Sequence, residues 1–123
     1  MASPTARSLK LLRKEGWEAG VVEKTIPKTF IKRDLFGLHD IIAIKDCILG
    51  VQATSDSNIA SHVAKAFVQP LLRNWLLAGG RFEIWGWSKK GPRGKVKHWK
   101  VRKVIIELVD DEPSIVTTEE DAQ

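Results

Sequence analysis

The sequence predicts an α/β domain, and three features point to it. Two apolar, β-branched runs, Asp40-Ile41-Ile42-Ala43-Ile44 and Cys47-Ile48-Leu49-Gly50-Val51-Gln52-Ala53-Thr54, flank a Lys45-Asp46 turn and read as an antiparallel hairpin. Ile59, Val63, Ala66 and Phe67 then recur at helical spacing. After that helix, strand patterning returns at 81–87 and again across 95–109. A chain of 123 residues makes one domain and can bury a core without disulfides or metal staples.

Taken in order, residues 1–7 read as a flexible N-terminus. Ser8 to Gly16 reads as a helix: Leu9, Leu12 and Trp17 lie near one face, Lys10, Arg13 and Lys14 turn away, and Gly16 is a stop. Glu18 to Ile26 is a strand carried by Val21, Val22 and Ile26 and ended by Pro27. Lys28 to Leu38 has no clean period and reads as a loop or ragged strand. The hairpin strands are apolar on both faces apart from Asp40 and Gln52, which places them at the centre of a covered sheet. Ser55 to Asn58 offers helix caps, and Pro70 kinks the following helix or opens a second one that Gly79-Gly80 ends. Along 81–87, Phe82, Ile84 and Gly86 face one side and Glu83, Trp85 and Trp87 the other. Ser88 to Gly94 is a turn, and Lys95 to Val109 is a last strand or strand pair. The order is α-β-β-β-α-β-β, over a domain spanning 8–109, followed by an acidic mobile tail at 110–123.

Charge is unevenly spread. The tail from Asp110 to Gln123 holds six acids and no base, so residues 1–109 carry twenty bases against nine acids, a balance of +11. A body that basic repels itself, and an anionic partner relieves the repulsion. The tail either competes with that partner or serves solubility alone. Ser88 to Lys103 concentrates eight bases without an acid, among them Lys89, Lys90, Arg93, Lys95, Lys97 and Lys100, with Trp85, Trp87 and Trp99 beside or within it. Bases neutralise phosphates and exposed indoles stack on unpaired nucleobases, so nucleic acid is the expected partner, against a solvated hairpin whose tryptophans serve the core. The lone Cys47 fits a reducing compartment, and no apolar run is long enough for a membrane span or a signal peptide, which predicts a cytoplasmic protein. No zinc-finger spacing, P-loop or nucleophile elbow is present, and no organic cofactor is expected.

Pairing through the Lys45-Asp46 turn lays Asp40 opposite Gln52 on one face. A carboxylate in an apolar sheet needs compensation, and a hard cation such as Mg²⁺ or Mn²⁺ supplies it. The ordinary alternative has Asp40 capping a turn and Gln52 bonding to loop backbone.

The segments Asp34-Leu35-Phe36-Gly37-Leu38-His39-Asp40-Ile41-Ile42-Ala43-Ile44 and Ile48-Leu49-Gly50-Val51-Gln52-Ala53-Thr54-Ser55 resemble the PD-(D/E)xK nuclease superfamily, most closely phage-type relatives of archaeal Holliday junction resolvases and VRR-type nucleases. The resemblance covers about residues 8–108. It implies a restriction-endonuclease-like fold, a central mixed sheet with flanking helices, and a metal-dependent endonuclease of a prokaryotic or phage-infected cell that hydrolyses DNA, with selectivity for branched structures. It also implies a homodimer, since cutting two strands takes two sites. By the same resemblance Asp40 is the strand-opening metal ligand and Gln52 stands for the second acid. The Ala53 carbonyl is a further ligand, and Thr54 stands where the motif has lysine. The upstream acid is Glu23 or Glu15, with Glu23 preferred, and Asp34 is an additional acid. His39 replaces the motif proline. Asn58, His62 and Lys65 form one stripe on the following helix, from which Lys65, or else His62, supplies the missing charge, unless the stripe is a solvated face. The departures at Gln52 and Thr54 also suit a nuclease fold that has lost catalysis and only binds nucleic acid or a protein.

Overall fold

Ser3 and Pro4 start the first helix. The Ser3 hydroxyl accepts the Ala6 amide at 3.1 Å, and Pro4 sits where a missing amide costs nothing, so α1 runs Pro4–Lys14. Residues expected as a flexible terminus are thus helical from Pro4 onward. In this computed structural model residues 2–122 are described, so Met1 and Gln123, at the ends of the expected N-terminal and C-terminal tails, lie outside the described residues.

The strands are β1 (Glu18–Val21), β2 (Lys24–Thr25), β3 (Lys32–Arg33), β4 (Ile41–Ile44), β5 (Ile48–Ser55), β6 (Arg81–Lys90), β7 (His98–Val109) and β8 (Glu112–Ala122). Between β5 and β6 come a short 3-10 turn and helices α2 (Ile59–Phe67) and α3 (Leu71–Leu77), with Pro70 capping the second. Six strands form one mixed sheet in the order β1-β4-β5-β6-β7-β8, in which only β5 and β6 are parallel. The crossover through α2 and α3 makes that parallel pair. The stretch expected as one strand from Glu18 to Ile26 is instead β1 plus β2, and β2 pairs with β3 in a separate two-stranded ribbon.

Both sheet faces are covered, as the two-sided apolar strands require. On one side α1 packs Leu11 and Leu12 against Ile41, Ala43, Leu49, Val51, Trp85 and Trp87. On the other, α2 and α3 pack Ile59, Ala66 and Leu72 against Phe82, Ile84, Val104 and Ile106. The start of α2 comes so close to the sheet that a Cβ on Gly86 would lie 2.3 Å from Ile59 Cδ1. Trp85 and Trp87 are buried, so two of the three indoles expected near nucleic acid are core residues.

The acidic segment is not a mobile tail. Val109 pairs with Glu112 across a two-residue Asp110-Asp111 turn in which both residues have positive φ, 52° and 65°. Asp tolerates that backbone, and such turns match strand twist. The β-branched Ile115, Val116, Thr117 and Thr118 then continue as edge strand β8. No described helix is long and apolar enough to cross a membrane.

Candidate metal and nucleic-acid site

The sheet register builds the site. Ile41 pairs with Val51, and the Asp40 amide donates to the Val51 carbonyl at 2.9 Å, so Asp40 lies across from Gln52, midway along the parallel pair. Its carboxylate accepts the Ala53 amide at 2.7 Å. Beyond β1 the chain stays on β4: the amides of Val22 and Glu23 both donate to the Asp40 carbonyl, at 2.8 and 3.4 Å. That bifurcated contact delivers Glu23. A tight turn delivers Asp34, because Leu35 and His39 bond to one another and Phe36 and Gly37 take positive φ between them.

One carboxylate oxygen from each of Glu23, Asp34 and Asp40 lies within 4.8 Å of the others. Asp40 is buried, and Glu23 and Asp34 are half-buried. Burial, a hydrogen bond with the Asp34 carboxyl and the charges of Asp34 and Glu23 push Asp40 up to about 8, against the pull of the Ala53 amide. Lys32 answers Glu23 only loosely, at 3.8 Å. Gln52 is buried, and its amide donates to Asp34 at 2.7 Å, which holds that carboxylate in place.

The structure therefore brings together Asp40, Glu23, Asp34 and Gln52. Glu15, the other upstream acid, ends α1 and pairs with Lys103 at 3.8 Å, away from this cluster. Thr54 is buried. Lys65 is exposed on α2 and makes no ion pair among the described residues. His62 is half-buried; burial and the Lys65 charge lower its pKa while the Asp34 charge raises it. His39 is fully buried in the space left by Gly50, against Trp75 and Phe82, and burial holds it down to about 4.

The basic hairpin leaves the sheet beyond the C-terminal end of β5, because β6 runs parallel to β5 and continues to Lys90. Lys89, Lys90, Arg93, Lys95 and Lys97 are exposed. Lys90 is paired with Glu120 at 2.9 Å. Trp99 is half-buried, with the Arg7 guanidinium 3.6 Å from its ring centre and Lys89 at 5.5 Å. Lys100 is half-buried, Lys103 is buried beside Trp85, and Arg102 is bound to Asp56 at 2.9 Å. The segment thus presents a basic tip rather than a continuous basic stripe.

Patterning gives a strand to Ile26 and a loop or ragged strand from Lys28, but not their pairing as the two-stranded ribbon beside the acids. It carries Lys24, Lys28, Lys32 and Arg33, with Phe30 fully exposed at its turn. The unusual density of bases around a Phe-Ile pair was its only signal. No known protein family, curated protein or solved structure matches the chain.

Proposed function

We propose that the protein is a metal-dependent nuclease that hydrolyses DNA phosphodiester bonds, on a restriction-endonuclease-like version of the α/β fold. The observation that carries this reading is the convergence of Glu23, Asp34 and Asp40 where β4 begins, beside Gln52. Burial first, and then the neighbouring Asp34 and Glu23, raise the pKa of Asp40, so a positive charge among the three carboxylates would be favoured. Their oxygens are hard donors and suit Mg²⁺ or Mn²⁺, with Glu23, Asp34 and Asp40 as the holding residues. Held there, such a cation would lower the pKa of a coordinated water and offset negative charge developing on the phosphate.

The chain's own residues supply the rest. Gln52 orients Asp34, and the Ala53 amide orients Asp40. The Lys89–Lys97 tip neutralises backbone phosphates. Lys65, on the helix after Thr54, is the candidate for the charge that Thr54 lacks, and a second copy would provide the second cut. Purified protein incubated with plasmid, single-stranded and branched DNA tests the reading: cleavage with Mg²⁺ or Mn²⁺ that stops in EDTA is expected, and intact DNA in every case refutes it. One observation favours a binding module without catalysis. The motif lysine is a buried, uncharged Thr54, and Lys65 makes no ion pair with the acids among the described residues.

A further inference from the structure

The ribbon β2–β3 is well built for something that leaves so much unsatisfied. Its turn is closed by the Ile26 amide on the Ile31 carbonyl at 2.9 Å and by the Thr29 hydroxyl, which donates to the Ile26 carbonyl at 2.8 Å and accepts the Ile31 amide at 3.1 Å. Phe30 is therefore held outward by a bonded turn. In the ribbon Lys24 stands directly opposite Arg33. Side chains of such a pair share one face, and like charges there are destabilising. Beneath that face lies a cavity of about 430 Å³, bordered by Lys24 and Arg33, walled by Ile26, Pro27 and Phe36, and reaching Asp34. Small-molecule sites fall in this size range.

Two facing cations ask for an anion, and an apolar wall with an aromatic edge asks for a flat apolar ring. One ligand class has both parts joined: a nucleotide. Base pairing hides the ring of a duplex nucleotide, so an unpaired one fits. Asp34 belongs to both the cavity and the acid cluster, which puts the next phosphate of the strand at the acids. We propose that the cavity under the β2–β3 ribbon receives an unpaired nucleotide of the bound strand, with Lys24 and Arg33 on its phosphate, its base against Pro27 and Phe36, and Phe30 stacking on the neighbouring base. This rests on the nuclease reading for its substrate strand and extends it to single-stranded or branched DNA.

Binding, not cleavage, tests it. The probe is an oligonucleotide carrying 2-aminopurine, single-stranded or in a blunt duplex, titrated with the full chain in Ca²⁺ at fixed salt. The expected result is at least tenfold tighter binding of the single strand with a change in probe fluorescence. The Lys24→Ala/Arg33→Ala variant, altered only at exposed positions, loses most of that preference, and Phe30→Ser loses part of it. A Lys95→Ala/Lys97→Ala variant weakens both forms alike. Equal affinity for single strand and blunt duplex, or a preference that survives Lys24→Ala/Arg33→Ala, overturns the proposal. A chain that never cuts DNA but shows the preference keeps it; a chain that cuts without the preference loses it and keeps only the nuclease reading.

Discussion

Two carboxylates are buried in this sheet on opposite faces, and their surroundings differ. Glu83 faces α1: it accepts the Arg81 guanidinium at 3.2 Å and the Trp85 indole N–H at 2.9 Å, and Lys103 lies over the same indole at 4.3 Å. Asp40 faces α2: it has one backbone amide and two more carboxyls. Glu83 is satisfied by groups the fold brings to it, whereas Asp40 is surrounded by its own kind. Buried carboxylates are normally paired with cations or several donors, so the less compensated gathering around Asp40 is the candidate functional site.

That contrast breaks most sharply at Asp40. Asp40→Asn keeps an acceptor for the Ala53 amide and removes the repulsion, so the melting temperature should hold or rise. Cleavage should fall by about a hundredfold or more, the scale on which removing one charge-stabilising group acts. A variant that cuts at the wild-type rate would remove Asp40 from the site. Next comes pH. The folded Asp40 pKa lies above its ordinary 3.8, at about 8, so the stability tied to its proton is complete below 3.8 and lost as pH climbs through about 8. Without metal, melting temperature should therefore fall toward pH 8. Because a cation must displace that proton, apparent Mn²⁺ affinity should rise by up to about tenfold per pH unit below 8. Calorimetric titration at pH 6, 7 and 8 measures this, and Asp40→Asn should flatten it.

The satisfied carboxylate responds through folding alone. Glu83→Ala strands the buried Trp85 N–H and should cost about 1–3 kcal/mol in denaturant unfolding, while metal affinity per folded molecule stays the same. Lys65→Ala should slow cleavage about tenfold, roughly 1.4 kcal/mol, with metal binding retained, and Thr54→Lys should partly restore it. If Lys65→Ala is silent and Thr54→Lys creates activity in an inert protein, the chain is a binding module. The smallest effect is expected at Glu120. Exposed pairs are worth about 0–1 kcal/mol, so Glu120→Gln, which releases Lys90, should tighten DNA binding only a few-fold and steepen its salt dependence slightly.

Much of this arrangement is legible in the residues. The apolar runs around Lys45-Asp46 specify β4 and β5, and their register alone sets Asp40 against Gln52. Helical spacing from Ile59 specifies α2, and Pro70 followed by Gly79-Gly80 brackets α3. Glu23 and Asp34 are harder to place, since loops deliver them: the Asp40 carbonyl catches the chain after β1, and a positive-φ turn presents Asp34. The ribbon was hidden because strands of two residues leave no periodic trace. Strand β8 was hidden for another reason. Its four acids match its four β-branched residues, and Asp110-Asp111 reads as the start of a charged tail until its role as a two-residue turn is seen. Trp85 and Trp87 mislead because an indole beside lysines suits a nucleic-acid surface and a core equally well in one dimension.

Strand β8 has a consequence for how copies of this protein meet. It is a long strand with one side unpaired, an invitation to add another chain. Two molecules joining there antiparallel would bring their acidic strands side by side, each carrying Glu112, Glu119 and Glu120, and the acids that balance β7 within one molecule would repel across the new seam. The edge is thereby closed to sheet growth, and replacing Glu112, Glu119 and Glu120 together by Gln should let copies associate through this strand.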